Sequence, residues 1–280
     1  LAFSVVGGDT ASALAAGCPV IVKAHSAHPG TSELVASAVT RAAKRCDMPE
    51  GVFSMLFGSG HLIGQGLVSH PAIKAVGFTG SRAGGMALMA TAQQRPEPIP
   101  VYAEMSIINP VVLMPSALQS SSDALAQGFC ASLQMGAGQF CTNPGLVLAI
   151  DGPELDQFIA KSAEIINNAI SQTMLTSGIH AAYQNGVGTL VENATITMVS
   201  EGDVSGNHNQ CVPYLFSTRA EAFLQQEQAR DEVFGSSSLV VRCKSLDQLL
   251  AVIDALEGQL TGTIHTGSSD SNQDLQEVLD

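Results

Sequence analysis

The chain has 280 residues, 45% of them hydrophobic and 13% charged, which supports two folded domains with a sizeable core and excludes a disordered segment. A net charge of −13 leaves no basic stripe to neutralise phosphates, so nucleic acid is excluded as a partner. Apolar runs fall well short of the ~20 residues that cross a bilayer, so no membrane association is expected. Six cysteines without paired spacing read as reduced thiols of a cytoplasmic protein, with no zinc or other metal site.

Strand and helix signals alternate over residues 1–105. Asp9 is read as the cap of a small-residue helix over 10–16, ended by Gly17. Residues 19–23 form a buried-strand pattern ending in Lys23. Pro29 then leads into a helix with Leu34, Val35, Ala38, Val39, Ala42 and Ala43 on its apolar face. A strand over 52–57, a glycine turn at Gly58-Ser59-Gly60 and a helix over 62–69 follow. After them come a strand over 75–78, the turn Thr79-Gly80-Ser81 and a helix near 86–91. This alternation predicts an α/β fold with a parallel sheet covered on both faces.

A second region starts near Ser106. Strands are expected over 111–114, 146–150, 239–241 and 261–265, and helices over 123–134, 219–228 and 246–256. The helix over 154–171 is strongly amphipathic, with Leu155, Phe158, Ile159, Ala163, Ile166 and Ile170 in register. Residues 202–210 read as an exposed polar loop.

Two residues carry candidate chemistry. Cys141 ends the glycine-lined stretch Gly136-Ala137-Gly138-Gln139-Phe140-Cys141, and Glu104 ends the short apolar run Pro100-Val101-Tyr102-Ala103-Glu104. A thiol nucleophile and a carboxylate base on separate elements suffice for covalent acyl chemistry. A lone cysteine is as readily a buried structural thiol, and Glu104 a paired buried carboxylate. Gly58-x-Gly60-x-x-x-Gly64 opens a helix after a strand, as a phosphate-binding turn does, but its third glycine is one place late for the dinucleotide fingerprint. Lys23 stands at a strand end, where ligand crevices form, or is a solvated end. Glu232 by itself reads as a surface charge.

Taken together, these motifs resemble the aldehyde dehydrogenase superfamily. Pro19-Val20-Ile21-Val22-Lys23, Phe78-Thr79-Gly80-Ser81, Gly138-Gln139-Phe140-Cys141-Thr142 and Glu232-Val233-Phe234-Gly235 occur in the family's order. Finer stretches, Lys23-Ala24-His25-Ser26-Ala27-His28-Pro29, Ala103-Glu104-Met105-Ser106, Asn109-Pro110 and Cys141-Thr142-Asn143-Pro144-Gly145, resemble the α-ketoglutaric semialdehyde and NADP-dependent fatty aldehyde dehydrogenases.

The resemblance implies a Rossmann-like parallel-sheet cofactor domain over 1–105, an α/β catalytic domain over 106–262, and a return toward the first domain over 263–280. Cys141 would attack an aldehyde and form a thioester, and Glu104 would activate the water that hydrolyses it, the two facing one tunnel. The cofactor contacts would come from Lys23, His25, Ser26, Gly58, His61, Thr79, Gly80, Ser81, Glu232 and Phe234, with Lys23 and Glu232 on the two riboses. NAD-preferring relatives often carry a Glu three residues after the strand lysine. Ser26 stands there, so NADP is favoured, with NAD possible. The small-molecule substrate would be α-ketoglutaric semialdehyde or, alternatively, a long-chain fatty aldehyde.

Three departures are visible. Met105-Ser106-Ile107 follows Glu104, Ser236 follows Phe234-Gly235, and the family's oxyanion Asn has no match. The chain therefore reads as a central segment of an enzyme that is a homo-oligomer at full length. An inactive segment or binding module stays open.

Overall fold

A computed structural model describes residues 7–204, 206–268, 270 and 272–279. The chain divides into two compact units, Leu1–Met105 and Ser106–Asp280.

In the first unit α1 (Gly8–Ala15) precedes β1 (Val20–Lys23), α2 (Pro29–Arg45), β2 (Phe53–Leu56), α3 (Gly60–Ser69), β3 (Val76–Thr79), α4 (Arg82–Gln93) and β4 (Val101–Glu104). Asp9 does not cap α1. The helix starts one residue before it, so its carboxylate lies in the first turn, where the helix dipole favours it. Gly17, at φ +80, ends that helix as expected. Pro29 opens α2 where its missing N–H costs nothing, and Lys44 and Arg45 sit in the last turn. The strands form two separate parallel pairs, β1 with β2 and β3 with β4, rather than one continuous sheet. The small core beside β3 and β4 is built on Val68, Ala92 and Ile99.

The second unit holds β5 (Pro110–Leu113), α5 (Pro115–Gln134), β6 (Leu146–Ile150), α6 (Pro153–Asn167), β7 (Gln172–Thr173), α7 (Ser177–Glu192), β8 (Thr197–Glu201), β9 (Gln210–Cys211), β10 (Tyr214–Arg219), α8 (Ala220–Gln225), β11 (Ser237–Cys243), α9 (Leu246–Asp254), β12 (Thr263–His265) and α10 (Asn272–Leu279). Its main sheet runs β12-β5-β6-β11-β10-β8, parallel except for β8. Successive residues of β6 face opposite layers. Leu146 and Leu148 join one core with Tyr183, Phe216, Phe223 and Leu249, and Val147 and Ala149 join the other with Phe129, Leu133, Phe158 and Leu215. The amphipathic stripe of α6 buries Leu155, Phe158, Ile159 and Ile166 as its spacing predicts, but the helix ends at Asn167 and Ile170 is exposed. Residues 263–265 pair with β5, so this segment belongs to the second unit's sheet.

The short strands β7, β8 and β9 escaped the sequence reading, and so did two longer or more central elements. One is α7, whose buried Tyr183, Val187 and Leu190 lie at helical spacing but whose run is interrupted by Gly186 and Gly188. The other is β10, a central strand in which Ser217 and Thr218 are buried, so alternation does not betray it. The loop expected over 202–210 is also partly ordered, since Gln210 is buried in β9 and Asp203 bridges to Ile170.

Candidate active site

The stretch before Cys141 is three consecutive left-handed residues, Gly136 (φ +58), Ala137 (φ +58) and Gly138 (φ +66). Glycine is required at the third position, because a side chain there would lie 2.2 Å from the Gly235 carbonyl carbon. Ala137 is held in this costly conformation from outside: its N–H donates to Gln172 Oε1 at 3.2 Å. Gln139 fastens the loop on both sides, donating through Nε2 to Gly136 O (3.0 Å) and accepting through Oε1 from Leu175 N–H (2.9 Å).

The loop delivers Cys141 exposed, and among the described residues its thiol makes no hydrogen bond. Cys130, Cys211 and Cys243 are instead buried. Desolvation pushes their thiols up, to about 11 for Cys130 and about 12 for Cys243, which suits packing rather than nucleophilic attack.

Sequence reasoning took Asn109 only as a subgroup marker, yet it is buried (4% exposed) with φ +48 and tied to this loop. Its Nδ2 donates to Cys141 O (2.8 Å) and Asn143 O (3.0 Å), and its Oδ1 accepts from Thr261 Oγ1 (2.8 Å). Gln259 Oε1 accepts from the N–H groups of both Ile108 and Asn109. Asn143 Nδ2 donates to Leu133 O, and Gly145 N–H to Ile108 O. These contacts gather the loops that enter β5, β6 and β12; the available signal was an Asn in front of a strand-opening Pro.

Glu232 and Phe234 lie half-buried on the turn entering β11. Burial pushes the Glu232 carboxyl up, opposed by hydrogen bonds from Ser106 and the Ile107 backbone. Its surroundings form a cavity of about 30 Å³, room for one or two waters rather than a substrate. Gly235 (φ +155) allows the backbone to lie against Tyr183, whose ring would stand 2.3 Å from a Cβ there. The Tyr183 hydroxyl donates to Val212 O and approaches Ser236 O.

In the first unit the candidate residues stand at the carboxyl ends of parallel strands, where open α/β sheets place ligands. Lys23 ends β1, and Gly58 to His61 follow β2. Ser59 precedes α3 without capping it, and no acidic residue lies in the first turn. Gly60 lies beside the lysine: a Cβ there would make an ordinary contact with Lys23 Nζ at 3.5 Å. An ammonium beside an uncapped helix N-terminus suits a phosphate-bearing ligand. His25, Ser26 and His61 are exposed. His25 stacks on His28 with ring centroids 5.0 Å apart, and desolvation, His28 and Lys23 all lower its pKa. Thr79 pairs with Glu104 across β3 and β4. The Gly80 N–H donates to Glu104 O (3.1 Å), and Ser81 Oγ caps α4 by accepting from Gly84 N–H (3.3 Å). Both groups are thus already engaged. Glu104 is half-buried in this unit, whereas Cys141 belongs to the other.

The profile of the aldehyde dehydrogenase family matches residues 1–280. The chain belongs to the aldehyde dehydrogenase family. This member is 57% identical over 96% of its length to an alpha-ketoglutaric semialdehyde dehydrogenase 2 of Azospirillum brasilense, covering 51% of that protein. It is 44% identical over 98% of its length to an alpha-ketoglutaric semialdehyde dehydrogenase of Acinetobacter baylyi, covering 52% of it. The chain thus spans about half the length of these curated relatives. Its fold is also that of an aldehyde dehydrogenase from Bartonella henselae (TM-score 0.80, 19% identity, 95% of this chain and 55% of that one). A benzaldehyde dehydrogenase from Corynebacterium glutamicum gives a TM-score of 0.78 at 24% identity, over 96% of this chain and 57% of that one.

Proposed function

We propose that this chain carries the nucleophile and the base of an enzyme that oxidises an aldehyde to a carboxylic acid with NADP. The observation that carries the reading is Cys141, exposed at the end of a loop whose backbone is fixed on every side. The Cys141 thiolate attacks the carbonyl carbon, and the displaced electron pair settles on an oxygen that accepts from the Cys141 backbone N–H. A bound nicotinamide dinucleotide supplies the acceptor for the hydride whose loss turns that adduct into a thioester. Glu104 takes a proton from water, the resulting hydroxide adds to the thioester carbon, and the acid departs as the thiolate re-forms.

In this reading the first unit is the cofactor-binding domain and the second the catalytic one. Lys23 and Glu232 hold the ribose hydroxyls, with Phe234 on the Glu232 turn. Lys23, His25, Ser26 and His61, with no carboxylate among them, favour a 2′-phosphate and hence NADP over NAD. Gly58, Thr79, Gly80 and Ser81 shape the turns beside the phosphates. The names of the two relatives favour α-ketoglutaric semialdehyde as substrate and 2-oxoglutarate as product. All six cysteines are unpaired, which fits the cytoplasm, and a homo-oligomer is the expected assembly.

A second substrate is favoured by one feature. Met135, Phe140 and Leu175 are exposed on or beside the Cys141 loop, apolar side chains of the kind a fatty aldehyde would meet. Steady-state kinetics of the full-length protein on both aldehydes decides between them. Iodoacetamide labelling mapped by mass spectrometry tests the nucleophile. Selective alkylation of Cys141, altered by NADP, supports it; labelling no faster than at Cys18 or Cys46 counts against it.

A further inference from the structure

We infer that Asn109 is a positioning residue that sets the Cys141 backbone for transition-state binding, an inference that rests on Cys141 being the nucleophile. Two carbonyl oxygens, those of Cys141 and Asn143, face one end of the Asn109 amide, and carbonyls only accept, so the NH₂ group must lie there. Thr261 Oγ1 donates to the other end and holds the amide in that orientation. The φ of +48 at Asn109 aims the side chain, and Asn tolerates that conformation far better than most residues. Gln259 pins the same segment by accepting from two successive N–H groups.

The consequence is specific to the peptide bonds around the nucleophile. With its carbonyl held from behind, Cys141 cannot rotate its backbone without breaking the part-buried hydrogen bond to Asn109. Its own N–H lies in the preceding peptide, whose Phe140 carbonyl accepts from Asn143 N–H (3.1 Å), so Asn109, which also holds Asn143 O, restricts the direction of the N–H proposed to meet the developing oxyanion. An oxyanion donor works only when aimed at the oxygen of the tetrahedral state. Asn109 bonds the backbone carbonyls of this loop rather than the Cys141 thiol, and acts through the loop.

The test uses the full-length protein with three readouts: turnover per alkylatable Cys141, the KM for NADP, and the thermal midpoint. Asn109→Asp keeps the shape and tolerates the same φ but replaces the two donors with an acceptor facing two carbonyls. The expected result is a fall in kcat per alkylatable thiol of about tenfold to a hundredfold, with KM for NADP within about twofold of the parent. Thr261→Val frees the amide to turn and should lose about threefold to tenfold, and Thr261→Ser should restore what Thr261→Val loses. A purely structural role would lower the midpoint and the alkylatable fraction together, with kcat per thiol unchanged, and that result would overturn the inference. Should Asn109→Asp fail to fold, the Thr261 pair decides: equal kcat per thiol in Thr261→Val and Thr261→Ser overturns it. Cys141→Ser is run alongside. Turnover surviving that change would instead refute the nucleophile assignment itself, whatever the Asn109 variants do.

Discussion

The two units present their candidate residues from opposite ends of their strands. In the first, Lys23, Gly58, Thr79 and Glu104 stand at or just beyond the carboxyl ends of β1 to β4. In the second, Asn109, Cys141, Gly235 and Thr261 lie in segments that run into the amino ends of β5, β6, β11 and β12. The first unit leaves groups open: α3 has no side-chain cap, and His25, Ser26 and His61 are exposed. The second closes its loop with Asn109, Gln139, Asn143 and Gln172, leaving the thiol exposed. One arrangement suits receiving a ligand and the other suits holding a reacting atom still, since a small misplacement of a nucleophile costs orders of magnitude in rate.

The contrast can be broken most sharply at Cys141. Cys141→Ser should abolish NADP-linked aldehyde oxidation in the full-length protein, by about four powers of ten or more, with dinucleotide binding by fluorescence retained. Residual turnover within tenfold of the parent would remove the nucleophile from this loop.

The closed character of the second region predicts little tolerance at Gly138. Gly138→Ala drives a methyl group into the Gly235–Ser236 peptide, and backbone cannot yield as a flexible side chain does, so unfolding should be easier by about 3 kcal/mol or more. Urea denaturation measures this, and a change below 1 kcal/mol would show that the two loops are not tightly apposed.

The open character of the first region predicts a selective effect at Ser26. Ser26→Glu places a carboxylate where a 2′-phosphate is proposed, so the ratio of KM for NADP to KM for NAD should rise about tenfold to a hundredfold. Equal effects on both cofactors would dissociate Ser26 from the choice.

The smallest effect concerns pH. The Glu232 carboxyl titrates higher in the folded chain than when unfolded, because it is buried, so the folded state holds the proton longer. That contribution to stability is present below the unfolded pKa and is lost as pH rises through the folded one. Glu232→Gln removes the dependence. Its denaturation midpoint should exceed the parent's at pH 7, and the gap should shrink toward pH 4. A gap that widens in acid would mean that the hydrogen bonds from Ser106 and Ile107 outweigh burial.

Legibility in the sequence differed between the regions for a physical reason. The turns and helix starts of the first unit are local. Pro29 at the start of α2 and the glycines after β2 act on their own neighbours, so those elements were found within a residue or two. In the second unit α6 was legible from its apolar stripe. The strand β10 was not, because Ser217 and Thr218 are buried in a sheet whose neighbours come from distant segments. Asp9 misled because a residue suited to capping a helix is equally suited to its first turn.

The amino-acid order by itself determined the α/β class, the succession of motifs and the singling out of Cys141 and Glu104, since each is written in a short run of residue types whose chemistry is local. Only the tertiary structure decided that Asn109, Gln259 and Thr261 converge on the Cys141 loop. That convergence spans hydrogen bonds between residues up to 152 positions apart, which a parallel sheet creates by bringing the entrances of β5, β6 and β12 side by side.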